Sequence, residues 1–193
     1  MYWETIQLSQ TKKQKIQINT FKLNVVELHI PCLLLDKGQN IIGIDPGVNF
    51  GLTFLDSESI TITWGKLPRT HKLMGTVAQA LAEAMSKPYA HPYWQIQFGD
   101  LPHVFIEGPA YSAAVGQPLL EQVRYGFAAG FISNGCEVEY VPPNKARKLA
   151  FGHGNKAGKD IWVNINQNGA DSIGLAIAGA MLYKHGTNNE GKA

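Results

Sequence analysis

Two short hydrophobic runs in this chain each end in a carboxylate followed by a turn: Ile41-Ile42-Gly43-Ile44-Asp45-Pro46-Gly47 and Val104-Phe105-Ile106-Glu107-Gly108. A third acid, Asp171, follows Gly169-Ala170 in the first turn of an apolar helical stretch. Apolar runs this short, closed by Gly or Pro, read as buried strands. A carboxylate at the end of each strand can emerge at one edge of a sheet, and a helix can bring a third beside them. That requirement points to an α/β fold with a mixed sheet.

The remaining pattern fits such a sheet. Ile41–Asp45, Gly51–Asp56 and Ile60–Trp64 are closely spaced, with Pro46-Gly47 and Ser57-Glu58-Ser59 as turns, which predicts an antiparallel meander. A helix is predicted from Thr70 to about Lys87, with Leu73, Val77, Leu81 and Met85 on one face. His103 to Glu107 is the next strand. Pro118 to Ser133 is a helix with proline in its first turn and Gly135 to end it. Glu137–Val141, a short basic helix Asn144–Phe151 and a last helix Gly169–Tyr183 complete the order. These elements predict five strands flanked by helices over residues 41–193. Residues 1–40 read as a β-rich extension, with strands at Lys15–Phe21 and Val25–Leu35.

A chain of 193 residues is long enough for one domain with a proper core. Its net charge is only +2, so the distribution of charge says more than the total. Lys145, Arg147, Lys148, Lys156 and Lys159 fall in one stretch without an acid, and Lys12, Lys13 and Lys15 form a smaller cluster. Such runs are either solvated faces or phosphate-binding surfaces. The isolated Cys32 and Cys136 argue against a disulfide framework or zinc site and fit a reducing, intracellular compartment. No run reaches the roughly 18 apolar residues of a membrane span, and the first forty residues lack the pattern of a signal or transit peptide.

Each acid has an ordinary reading beside the chemical one. Asp45 can be a turn former in Asp-Pro-Gly. Glu107 closes a buried strand, where a charge is costly unless paired or bound to metal. Asp171 can stand at the third position of a helix capped by Asn168. Together the three suggest a site for two divalent cations, magnesium or manganese, acting on a phosphodiester. His153, in Gly152-His153-Gly154, is the histidine nearest this edge.

The ordered set of motifs resembles RuvC-type Holliday-junction resolvases, within the ribonuclease H-like superfamily. Ile-Ile-Gly-Ile-Asp45-Pro-Gly with Gly51-Leu-Thr-Phe is similar to the family's first strand pair, and Phe105-Ile-Glu107 to its second acidic strand. Pro143-Asn-Lys-Ala-Arg-Lys148 with Gly154-Asn-Lys-Ala-Gly-Lys159 resembles its basic segment, and Gly169-Ala-Asp171-Ser-Ile-Gly its last acidic helix. The similarity spans about residues 41–184. It implies a homodimer that nicks four-way DNA junctions symmetrically, with Asp45, Glu107 and Asp171 as metal ligands. It also implies a role for Lys159, with Lys156 as a neighbour, near the scissile phosphate. Lys145, Arg147, Lys148 and His153 would meet DNA, and Tyr111 is the candidate for the aromatic wedge that follows the second acid.

Two departures bear on activity and origin. Where the family has a fourth acid, this chain has Asn168, which offers an oxygen but no charge. The arm of residues 1–40 is extra, and phage or organelle members vary in such places. Three rivals remain: a ribonuclease H-like nuclease on other branched DNA or RNA–DNA hybrids, a non-catalytic junction binder, and an actin-like kinase or ATPase. The last shares Gly-Ile-Asp-x-Gly but needs a second domain.

Overall fold

The computed structural model describes residues 2–7, 15–24, 35–68, 74–90, 100–109, 117–152 and 165–190. Its strands are β1 (Tyr2–Gln7), β2 (Lys15–Asn24), β3 (Ile41–Asp45), β4 (Asn49–Leu55), β5 (Ser59–Lys66), β6 (His103–Glu107) and β7 (Val138–Val141). The helices are α1 (Met74–Ala90), α2 (Gln117–Ile132), α3 (Pro143–Phe151) and α4 (Gln167–Glu190). One mixed sheet takes the order β1-β2-β5-β4-β3-β6-β7. β3, β4 and β5 form the antiparallel meander, while β6 and β7 add in parallel beside β3. The five strands expected after residue 40 are all present.

The β-rich arm joins this same sheet. β1 and β2 pair antiparallel, and β2 lies against β5 from Ile18 opposite Gly65 to Asn24 opposite Ser59. Most of the expected Val25–Leu35 strand lies outside the described residues.

Alternation along the central strands separates two cores. Ile42, Ile44, Val104 and Ile106 face α1 and α2, against residues such as Leu81 and Phe127. Ile41 and Phe105 face the other way, toward Ala146 of α3 and Ile173 and Ile177 of α4. Each central strand is therefore covered on both sides, which is why its sequence reads as an unbroken apolar run.

Close backbone approach explains several glycines. Gly126 and Gly130, one turn apart on α2, face α1 and not the sheet. A Cβ on Gly126 would stand 2.2 Å from the Gly75 carbonyl oxygen, and one on Gly130 2.3 Å from that of Gln79. They let α2 press onto α1. α1 continues to Ala90, past the Lys87 end expected from Pro88. No described helix is long and apolar enough to cross a membrane.

Candidate active site

Asp45 and Glu107 end adjacent parallel strands whose register runs from Ile41–His103 to Ile44–Ile106. By alternation both side chains share the face of Ile41 and Phe105, the face covered by α3 and α4. Neighbouring strands lie about 4.8 Å apart, so two carboxylates at the same level on one face must feel each other.

Gly51 and Gly43 bring α4 to them. Gly51 pairs directly with Asp45 across β3 and β4. A Cβ there would lie 1.9 Å from the carbonyl oxygen of Asn168. At Gly43 a Cβ would meet the Ala176 nitrogen at 2.2 Å and the Ser172 carbonyl oxygen at 2.5 Å. The first turns of α4 thus rest on bare backbone, with Asp171 carried to the level of Asp45. A buried bond between the Thr53 and Ser172 hydroxyls, 2.7 Å long, fixes this contact, and Ser172 also donates to the Gly169 carbonyl.

The helix begins earlier than the sequence suggested. Asn166, not Asn168, is the capping residue: its Oδ1 accepts from the Gly169 amide at 2.9 Å, and its carbonyl accepts from the Ala170 amide. Asn168 then lies inside the first turn, one turn before Asp171 and half-buried. Both asparagines could serve as caps by type. The room above Gly51 decides between them.

The electrostatics follow from this convergence. Burial, reinforced by Glu107 and Asp171, holds the Asp45 carboxyl well above the usual carboxylate range, with Arg147 pulling the other way. Burial also raises Glu107; Arg147 opposes it, Asp171 adds to it and Arg124 opposes it. A small cleft of about 10 Å3, room for one water, lies among Glu107, Arg147, Phe151 and Asp171. Among the described residues no three His, Cys, Asp or Glu side chains are gathered at metal-ligand spacing. Asp45 feels the charge of Glu107 and Asp171, and Glu107 that of Asp171, without the three forming a closed cage. Oxygen donors that repel one another, partly buried, fit a hard divalent cation, which supplies the positive charge they lack.

Arg147 belongs with the acids more than with the outer basic surface assigned to it from sequence. It is half-buried on α3, whereas Lys145 and Lys148 on the same helix are exposed. Tyr111, His153, Lys156 and Lys159 lie outside the described residues. Arg124 escaped the sequence reading. Its guanidinium is only 3% exposed, donating through Nε to the Glu107 carbonyl at 2.7 Å and through NH1 to Glu121 Oε1 at 2.6 Å. The only hint was Glu121 three residues earlier, the ordinary spacing of a surface pair.

A larger cavity, about 240 Å3, opens at the opposite end of the sheet around Asn40, Asp100, His103 and Tyr183. There His103 stands between Glu137 and Glu139, at 3.3 and 3.1 Å. It begins β6 while Glu107 ends it, so this cavity is remote from the three acids.

No protein-family model matches the sequence, and no curated protein matches it. Solved structures do match by shape. A Thermus thermophilus RuvC structure aligns with a TM-score of 0.57 at 16% identity, over 77% of this chain and 98% of that one. T. thermophilus RuvC in complex with Holliday junction substrate aligns with a TM-score of 0.55 at 16% identity, over 77% and 97%. The chain therefore has a RuvC-like fold, of the ribonuclease H-like class.

Proposed function

We propose that this protein is a metal-dependent endonuclease that resolves four-way DNA junctions by paired nicks. The observation that carries the reading is the convergence of Asp45, Glu107 and Asp171 at one end of the central strands, on a RuvC-like fold. These residues would hold magnesium or manganese, two ions per site, and the ions would supply the positive charge that phosphodiester hydrolysis needs. Asp45 and Glu107 offer their carboxylates from rigid strand ends, and Asp171 closes the set from α4. Arg147 balances part of the negative charge. Asn168, one helical turn from Asp171, contributes at most a neutral oxygen.

Around this centre, Lys159 and Lys156 would approach the scissile phosphate, and exposed Lys145 and Lys148 would track the DNA backbone, with His153 beside them. Tyr111 would open the junction. Contacts of this kind read phosphate position and junction shape, not base edges. A two-fold homodimer suits a substrate with two symmetric cuts. The exposed side of α2, where Tyr125 is 61% and Ile132 57% exposed, is the surface such a dimer would cover. We place the protein inside the cell, in cytoplasm or nucleoid, a phage-infected cell or an organelle matrix.

One observation favours a second reading. Among the described residues the Asn168 side chain has no hydrogen-bond partner, and an uncharged residue at this place suits a protein that binds junctions without cutting them. Cleavage of a labelled synthetic four-way junction with magnesium, by this chain and by Asn168→Asp, separates the two. Symmetric cutting by both means three acids suffice. Cutting by the variant alone makes Asn168 the inactivating feature of a competent site. Tight binding without cutting by either would overturn the nuclease reading in favour of the binder.

A further inference from the structure

Glu107 occupies the last position of β6, still opposite Val141 of β7 but past the end of the pairing with β3. The pairing with β3 closes at Ile44–Ile106, one residue earlier, and β3 leaves the sheet at Pro46-Gly47. On the β7 side, the next amide, Gly108, donates to the Val141 carbonyl at 2.8 Å. The Glu107 carbonyl is taken by Arg124 Nε, at 2.7 Å. Arg124 comes from α2, on the sheet face opposite the Glu107 side chain, so it grips the backbone from behind the carboxylate.

A guanidinium buried to 3% exposure is costly unless its donors are met. Glu121, itself only partly exposed, meets one of them and fixes the fork so that Nε points at the strand end. An internal ion pair that served α2 alone would have no need to reach the last residue of β6. We propose that Arg124 is a positioning residue for Glu107, holding the end of β6 so that the carboxylate faces Asp45 and Asp171. This role rests on the reading of Glu107 as a metal-holding acid.

The test compares Arg124→Met, Arg124→Lys and Glu121→Gln in the full chain. The measurements are melting temperature, amide hydrogen exchange, Mn2+ affinity by electron paramagnetic resonance, and junction cleavage alongside junction affinity. Losing Arg124 should speed exchange of the Gly108 amide about tenfold while Ile44 and Ile106 stay protected. Mn2+ affinity and cleavage should fall by about 10- to 100-fold, the usual effect of removing a residue that orients a metal ligand, with junction affinity unchanged. Glu121→Gln removes the charge but keeps an amide oxygen to accept from NH1, so the fork and the Arg124–Glu107 bond should hold and Gly108 should stay protected. Variants that melt earlier yet keep Gly108 protection and Mn2+ affinity would reduce Arg124 to a buried ion pair and overturn the proposal. So would an equal loss in Glu121→Gln. If Arg124→Met does not fold, Arg124→Lys decides, since a single ammonium lacks the planar fork that presents Nε and NH1 to separate acceptors. A parent chain that neither binds Mn2+ nor cuts would end the nuclease reading alone; Gly108 exchange would still decide whether Arg124 holds the strand end.

Discussion

Replacing Gly51 with alanine should push α4 away from the sheet at the level of Asp45. The new methyl would begin 1.9 Å from the Asn168 carbonyl oxygen, where ordinary contact starts at 3.4 Å. β4 is paired on both sides, with Asp45 of β3 and Trp64 of β5 opposite Gly51, so the strand cannot yield. The first turn of α4 must then retreat by roughly 1.5 Å, an overpacking cost of about 1–3 kcal/mol. For a chain of this size that lowers the melting temperature by roughly 3–10 °C. The same retreat moves Asp171, and a misplacement of about 1 Å at a reacting centre can cost about 100-fold in rate. The assays are thermal melting, Mn2+ affinity and junction cleavage well below the melting point. Gly130→Ala is the control, because its clash of 2.3 Å with the Gln79 carbonyl lies in the α1–α2 seam, on the other face of the sheet and farther along α2 from Arg124. It should cost similar stability but little Mn2+ affinity. If Gly51→Ala retained parental Mn2+ affinity and cleavage, or if Gly130→Ala lost as much of both, the role assigned to the α4–β4 contact would be refuted.

Two further outcomes are expected. Burial, then Glu107 and Asp171, raise Asp45 above its ordinary value of 3.8, so the folded chain keeps a proton that the unfolded chain has released. Stability in chelator should be full below 3.8 and decline as pH rises through the raised value. Asp45→Asn should flatten that decline and abolish cleavage while sparing junction binding; a parental melting profile as flat as the variant's would count against the coupling. At the Thr53–Ser172 bond, Thr53→Val should cost about 1–3 kcal/mol by leaving a buried hydroxyl with one partner fewer. Adding Ser172→Ala should then cost less than it does alone, by a coupling of about 1 kcal/mol in denaturant titrations. Strict additivity would mean the two hydroxyls are not energetically linked.

Local pattern and three-dimensional fit contributed differently to this structure. The bounds of β3 and β6 were legible because a buried strand announces itself as an apolar run ending at a turn. Their shared face followed from alternation once the two were known to be neighbours. The start of α4 was misplaced because Asn166 and Asn168 are equally good caps by type, and only the space above Gly51 distinguishes them. The pairing of Gly126 and Gly130 with α1 was hidden for a related reason: a small-residue spacing shows that something comes close, without saying what. Arg124 was missed because an arginine three residues after a glutamate on a helix normally faces water, and the half-burial of Arg147 was hidden because it sits in a run of cations that reads as one exposed face. Both instead turn toward Glu107, one through its backbone and one through its charge.

The docking of β2 onto β5 also bears on solubility. Without β2, Ser59–Lys66 would be an outer strand whose Ser-Ile-Thr-Ile-Thr-Trp-Gly stretch is rich in β-branched residues and free of charge. Unpaired strands of that composition recruit other chains and seed aggregates. The hairpin caps this adhesive border and transfers the free edge to β1. In that respect β1 and β2 shield the meander, whatever else they contribute.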